Sequence, residues 1–206
     1  SAWKSALVEP NAALSLAEDE LGLAAARLYG DYEQALRAYQ AVDFDDLIRL
    51  PVRLFESEAD VLLRWQGKLQ YLLVDEYQDT NRSQYRLLRL LAGDRAAFTA
   101  VGDDDQAIYA WRGADVENLR VLQADFPQLK VIKLEQNYRS MQRILKAANA
   151  LIGNNEKLFE KRLWSEHGHG DAIQVNVARD NEQEAEQVVM KLMAHRFEHR
   201  GQWRDY

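Results

Sequence analysis

The stretch Tyr71–Leu91, YLLVDEYQDTNRSQYRLLRLL, decides how this chain is read. Its apolar start, Tyr71-Leu72-Leu73-Val74, stops at Asp75-Glu76, and a polar turn then leads into a helical pattern. A short apolar run of this kind suits a buried strand of a parallel sheet. Carboxylates at its C-terminal end lie where open α/β sheets bind ligands. Adjacent acids on an extended chain point to opposite sides. One can then hold a hydrated metal while the other orients a water.

Moving outward, the same grammar repeats. A helix is predicted over Ser83–Leu91, with Tyr85, Leu87, Leu88 and Leu91 buried and Gly93-Asp94 as its stop. Ala97–Val101 is a second apolar run ending in a polar turn, Gly102-Asp103-Asp104-Asp105-Gln106. After Ala107–Gly113 comes a helix near Val116–Asp125, closed by Phe126-Pro127. Lys130–Leu134 is predicted as a third strand, ending in Glu135-Gln136-Asn137-Tyr138-Arg139 before a helix over Met141–Ile152. Strand–helix alternation of this kind predicts an α/β fold with right-handed crossovers and a parallel sheet. Its three polar strand ends would share one edge.

The flanks are more helical. Residues 1–42 read as an accessory helical segment, with Pro10-Asn11 as a helix entry within it. Leu14, Ala17, Leu21, Ala24, Ala25 and Leu28 are expected on its buried face. Gly30-Asp31 is expected to break or bend it, with Tyr32, Leu36 and Tyr39 on the stripe beyond. Asp43 reads as an N-cap, followed by acids in a first helical turn. Pro51 should start or bend the next helix, and Val61–Leu69 leads into the first strand. Past Asn154, Leu158–Trp164 reads as a short amphipathic piece. A turn at Gly168–Asp171, a strand over Ala172–Val177 and a polar helix over Glu182–Ala194 complete the pattern.

Composition sets the limits. The 206 residues, 47% of them apolar, suffice for one large domain or two small ones. No apolar run approaches the roughly 20 residues of a membrane helix, and no secretory signal is visible at the N-terminus, where Ser1–Lys4 reads as a cut end. The absence of cysteine removes disulfide and thiolate–metal chemistry and fits a cytoplasmic protein. A net charge of −7 argues against broad electrostatic binding of nucleic acid, so any contact with DNA must use a local groove or basic surface from outside this chain.

Chemistry concentrates at the strand ends. Asp75 and Glu76 fit the acidic pair of a nucleoside triphosphatase, one carboxylate on Mg²⁺ through water and one orienting the attacking water. Gln106, past the second strand, could sense a terminal phosphate, since an amide both donates and accepts. Arg139 could neutralise a transferring phosphoryl group, and Tyr138 could stack on a base. Blander readings stand beside these. Asp103–Asp105 alone would be a solvated turn, Trp111 a core or interface aromatic, Tyr138 and Arg139 a helix start and a surface charge. His167 and His169 read as loop residues.

Three motifs in order carry a resemblance. Val74–Asn81 (VDEYQDTN), Val101–Ala114 (VGDDDQAIYAWRGA) and Leu134–Ser140 (LEQNYRS) resemble the second, third and fourth motifs of the UvrD/Rep group of superfamily-one helicases. Asp43–Leu47 and Lys161–Glu166 match further segments of that group. The Asp-Asp-Asp-Gln form and the Lys130–Leu134 lead-in are most similar to its Rep branch.

The resemblance implies a RecA-like, P-loop NTPase type of parallel sheet flanked by helices, incomplete here. It implies two motor domains that bind ATP and Mg²⁺ and translocate 3′ to 5′ on single-stranded DNA, unwinding forked duplexes in replication or repair, with replication proteins as possible partners. By position, Asp75 would bind Mg²⁺ and Glu76 activate water. Gln106 would couple the γ-phosphate to DNA. Tyr109, Trp111 and Arg112 would line the DNA path, with Trp111 stacked on a base. Tyr138 would stack on adenine and Arg139 reach the γ-phosphate.

The implied layout is the end of an accessory helical subdomain (1–42), the latter part of a first motor domain (43–134) and the beginning of a second (135–206). No G-x-x-x-x-G-K-[ST] phosphate loop occurs in the sequence, and the later motifs of the group are missing. The chain therefore reads as an internal fragment, expected to lack ATPase activity and to dimerise through exposed edges. The competing expectation is a non-catalytic DNA-binding or protein-interaction module that retains a motor fold.

Overall fold

The structure, a computed structural model, describes residues 2–206. In chain order the helices are α1 (Ala2–Ser5), α2 (Pro10–Leu16), α3 (Glu20–Ala38), α4 (Asp46–Ser57) and α5 (Ala59–Lys68). Strand β1 (Leu72–Val74), helix α6 (Arg82–Ala92), strand β2 (Phe98–Ala100) and helix α7 (Glu117–Asp125) follow. Helices α8 (Gln142–Ile152) and α9 (Asn181–His199) come next, and a 3₁₀ turn at Trp203–Asp205 follows them. Two compact units emerge. One holds the residues up to Leu134 together with Asn154–Lys161, and the other holds Glu135–Gly153 and Arg162–Tyr206.

The β1–α6–β2 repeat forms as its sequence demands. The strands pair in parallel, Leu72 opposite Phe98, Leu73 opposite Thr99 and Val74 opposite Ala100. Asn81 starts α6 with a reciprocal cap. Its side chain accepts from the Gln84 N–H at 3.0 Å, and the Gln84 side chain accepts from the Asn81 N–H at 2.9 Å. Tyr85, Leu88 and Ala92, at i, i+3 and i+7, turn inward against Tyr77, Phe98 and Leu122. Phe98 meets Phe126 edge-on, ring centroids 4.8 Å apart. This core fixes the ends of β1 and β2 relative to each other.

The expected third strand is absent: Lys130–Leu134 forms no strand, and the sheet has two strands among the described residues. Ala172–Val177 likewise carries no ladder. Alternating or continuous apolar residues mark a segment able to join a sheet, but a strand exists only where a neighbour accepts its hydrogen bonds. Here Leu134 is 81% exposed and Val175 and Val177 are exposed as well. The second unit contributes only a parallel bridge between Gln136 and Trp164.

The N-terminal helices also depart from expectation. The break falls at Ala17–Asp19, where Asp19 caps α3 by accepting from Gly22 N–H at 2.7 Å, and α3 runs unbroken through Gly30. A glycine inside a helix costs only about 1 kcal/mol, which packing readily offsets. The buried face of α3 is Ala26, Tyr29 and Glu33, while Leu21 and Leu28 are exposed. The partners of that face explain the choice: Trp3 stacks on Tyr29 at 5.7 Å, and the Tyr29 hydroxyl donates to the Val8 carbonyl at 3.0 Å. Pro51 lies within α4 rather than at its start. The N-cap of α4 is Asp45 rather than Asp43, and Asp43, two residues ahead of it, accepts from the Asp46 N–H at 3.0 Å.

Glu33 belongs to a buried ion network that the sequence did not announce. Lys4 Nζ pairs with Glu33, with Asp43 at 2.8 Å and with Asp46 at 2.9 Å; Arg49 closes onto Asp46 at 2.9 Å and onto Glu33. Burial opposes the charge of Lys4, but the hydrogen bonds it donates to Asp43, Glu33 and Asp46 outweigh this and raise its pKa.

Candidate functional site

The ends of β1 and β2 are joined by one short relay of side chains. Tyr77 N–H donates to the Val101 carbonyl at 2.9 Å, which brings the turn after β1 beside the turn after β2. Glu76 adopts a left-handed backbone (φ 48, ψ 44), an unfavourable conformation for a residue with a long side chain. The expected extended geometry, with Asp75 and Glu76 on opposite sides of a strand, therefore does not occur; β1 ends at Val74 and the chain turns at Glu76. Asp75 Oδ1 accepts from the Glu76 N–H at 2.9 Å.

Gln78 is the side chain that the sequence reading missed. It is buried, donates from Nε2 to Glu76 Oε2 at 2.8 Å and accepts at Oε1 from the Asp103 N–H at 3.0 Å. Asp103 in turn accepts from Gln106 Nε2 at Oδ2, 2.6 Å away. A continuous chain of hydrogen bonds thus runs Glu76–Gln78–Asp103–Gln106. Gly102 is required by space rather than by backbone angle. A Cβ there would lie 2.9 Å from Gln78 Oε1 and 3.3 Å from both Gln78 N and Tyr77 Cβ. The only signal in the sequence was the polar residue two positions past Glu76, which an exposed turn would explain equally well.

The Asp103–Asp105 turn is not free in solvent. Lys161 Nζ pairs with Asp103 and Asp104 and lies 3.3 Å from Asp105, which also pairs with Lys157 at 3.2 Å. Burial pushes the Asp103 carboxyl up, but the hydrogen bonds from Lys161 and Gln106 overcome this and hold it below the usual carboxylate range. Burial likewise opposes the charge on Lys161, and its hydrogen bonds to Asp103 and Asp104 raise its pKa regardless.

Beyond this turn Tyr109, Trp111 and Arg112 group on a single 3₁₀ turn, Ala110–Arg112. The two rings are 6.4 Å apart and tilted by 52°, and the Arg112 guanidinium lies 5.8 Å from the Tyr109 ring and 5.4 Å from the Trp111 ring. Trp111 is 78% exposed, so it is not a core aromatic of this chain. An indole held open to solvent beside a cation is suited to stacking on a planar partner.

Beside Asp75 a shallow hollow of about 290 Å³ is lined by Leu73, Val74, Thr99 and Val101. Asp75 is exposed, and one of its oxygens is already engaged by backbone. A single carboxylate with an oxygen to spare fits a hydrated Mg²⁺, which keeps most of its waters.

Tyr138 and Arg139 belong to the other unit. There Asn137 Oδ1 accepts from the N–H groups of Arg139 (2.9 Å) and Ser140 (2.7 Å), and in this turn Tyr138 and Arg139 are exposed. Tyr138 is exposed, with its hydroxyl donating to Gln136 Oε1 at 2.9 Å and its carbonyl facing His167 Nε2 at 2.9 Å. The Arg139 side chain is exposed. A larger hollow of about 420 Å³ in this unit, beside Asp180 and Lys191, holds none of the motif residues.

Comparisons with known proteins identify the family. Residues 1–127 match the family model described as UvrD/REP helicase N-terminal domain, and residues 132–205 match that described as UvrD-like helicase C-terminal domain. Over all 206 residues the chain is 55% identical to the ATP-dependent DNA helicase Rep of Escherichia coli (strain K12), covering 31% of that protein. It is 45% identical over the same length to the Rep helicase of Buchnera aphidicola subsp. Acyrthosiphon pisum, covering 32% of it. It is 44% identical over 192 residues to the PcrA helicase of Staphylococcus epidermidis (strain ATCC 12228), which takes in 93% of this chain and 26% of that protein. The chain therefore spans about a third of the length of the Rep relatives it matches, and less of PcrA. With its motifs in order and both family models matched along its length, the chain belongs to the UvrD/REP helicase family.

Proposed function

We propose that this chain is the part of an ATP-dependent DNA helicase that connects ATP hydrolysis to the grip on single-stranded DNA, within RecA-like motor domains that move 3′ to 5′. The observation that carries the reading is the relay Glu76–Gln78–Asp103–Gln106, with exposed Tyr109, Trp111 and Arg112 on the next turn. Glu76 is the general base that orients the attacking water, held by Gln78 rather than left free. Gln106 reports the γ-phosphate, since its amide can exchange the Asp103 carboxylate for a phosphate oxygen. Trp111 stacks on a base without regard to sequence, a contact typically worth ~1–3 kcal/mol. Asp75 holds Mg²⁺, which when bound neutralises charge on the phosphates. Tyr138 and Arg139 are the nucleotide contacts proposed for the second unit, on adenine and on the γ-phosphate.

The test is steady-state ATPase activity of this chain and of the full-length protein containing it, each with and without single-stranded DNA. The chain alone should be inactive, because the sequence has no glycine-rich phosphate loop with its Lys-Ser/Thr. The full-length protein should be active, stimulated by DNA and silenced by Glu76→Gln. Inactivity of both would favour a non-catalytic DNA-binding or protein-interaction module. Turnover by the chain alone would overturn the expected division of labour.

A further inference from the structure

The carboxylates of Asp103, Asp104 and Asp105 converge within 4.8 Å of one another, an arrangement that invites a cation. The cation already there is an ammonium group. Lys161 Nζ reaches all three acids, and Lys157 Nζ takes the outer side of Asp105. The same segment supplies backbone donors: Leu158 and Phe159 N–H groups point at Asp104 Oδ2 at 3.3 and 3.4 Å. The Lys161 side chain is 21% exposed and that of Asp104 6%, so these charges meet largely out of water.

The origin of the lysines matters. Asn154–Lys161 packs into the unit that holds β1 and β2, whereas the residues flanking it on both sides, Glu135–Gly153 and Arg162–Tyr206, form the other unit. In sequence it falls within the stretch matched by the C-terminal family model, while the three acids fall within the stretch matched by the N-terminal one.

Asp103 is the pivot. One oxygen accepts from Lys161 and from the Asp105 N–H at 3.2 Å, and the other accepts from Gln106 Nε2 at 2.6 Å. We propose that Lys161 is a positioning residue for Gln106: by pairing with Asp103 and Asp104 it sets the carboxylate that holds the Gln106 amide. This rests on the proposed role of Gln106 in ATP-driven translocation. Without Lys161 three converging carboxylates repel one another, and Asp103 must turn toward water, releasing Gln106. Among the described residues the Lys157 ammonium pairs with Asp105 and not with Asp103, so it does not bear on Gln106 directly.

Two readouts test this. On the 206-residue chain labelled with ¹⁵N, the Gln106 side-chain amide pair, identified by its loss in Gln106→Ala, should shift in Lys161→Met, return towards the wild-type position in Lys161→Arg and stay in place in Lys157→Met. An unmoved Gln106 amide in a folded Lys161→Met chain overturns the proposal. If Lys161→Met does not fold, Asp103→Asn becomes the deciding variant, and an unmoved Gln106 amide there has the same meaning. In the full-length protein Lys161→Met should lower DNA-stimulated kcat by about 10- to 100-fold with the KM for ATP nearly unchanged, and Lys161→Arg should recover most of it. A parallel loss in kcat and KM without rescue by arginine would mark Lys161 as merely structural. If the wild-type full-length protein shows no DNA-stimulated ATPase, the helicase reading fails, while the amide readout still decides the positioning role.

Discussion

Two clusters of lysine and carboxylate differ in depth and in what they touch. The N-terminal cluster joins Lys4 and Arg49 to Glu33, Asp43 and Asp46, and the Lys4 side chain is only 1% exposed. It ties α1, α3 and α4 together, and among the described residues its ion pairs do not extend to the motif residues at the strand ends. The second cluster joins Lys157 and Lys161 to Asp103–Asp105, stays partly in contact with water and ends on Gln106. Deeply buried charges have no other partners to choose, so they specify one packing. Half-buried charges can exchange partners with water or ligand, so they suit a loop that must respond.

The largest expected effect lies in the deep cluster. Lys4→Met leaves Glu33, Asp43 and Asp46 facing each other with only Arg49 to compensate, and should destabilise the fold by about 3–5 kcal/mol, read by urea unfolding. Lys161→Met should cost clearly less on the same scale. Equal losses would break the distinction between a packing cluster and a loop-holding one.

Gly102→Ala comes next. Its methyl group would press on Gln78 Oε1 and the Gln78 backbone, and should destabilise by about 1–3 kcal/mol. It should also disturb the Gln106 amide, because Gln78 holds the Asp103 N–H. A neutral effect would mean that the two turns are not rigidly apposed.

The pH dependence is flatter. Asp43 and Asp103 have folded pKa values below their ordinary 3.8, so their contribution is in place above that value and is lost as pH falls through the folded values. Lys4 and Lys161 are raised above 10.5, so theirs is complete below that value and is lost as pH rises through the folded values. Unfolding midpoints should therefore be level between about pH 5 and 9 as far as these clusters decide. A step inside that window that disappears in Asp103→Asn would contradict the assignment.

The smallest effect on stability is expected for Trp111→Ala, within about 0.5 kcal/mol, because the ring packs on no core. In the full-length protein the same change should weaken single-strand binding while sparing nucleotide binding. A large loss of stability would return Trp111 to the role of a packing residue.

Much of the first unit, and helix α8 of the second, was legible in the sequence. Helices α6, α7 and α8 start and stop within a residue or two of where period and turn signals put them, and Tyr85 and Leu88 face the core as expected. These are local properties, set by side-chain period and capping over a few residues. Segment 130–134 was misread because its apolar content is local while pairing is not. The face of α3 was misread because leucine marks hydrophobicity, whereas the partners actually available were Trp3, Val8 and a set of charges.

The sequence by itself determined the motifs, their order and the acidic ends of two strands, since these need only neighbours along the chain. Tertiary structure alone decided that Gln78 joins Glu76 to Asp103, that Lys4 meets Glu33 and Asp46, and that Lys161 closes on acids 57 and 58 residues away. A charge in sequence carries no label for its partner. Only folding, by excluding water and leaving each ion few alternatives, assigns one.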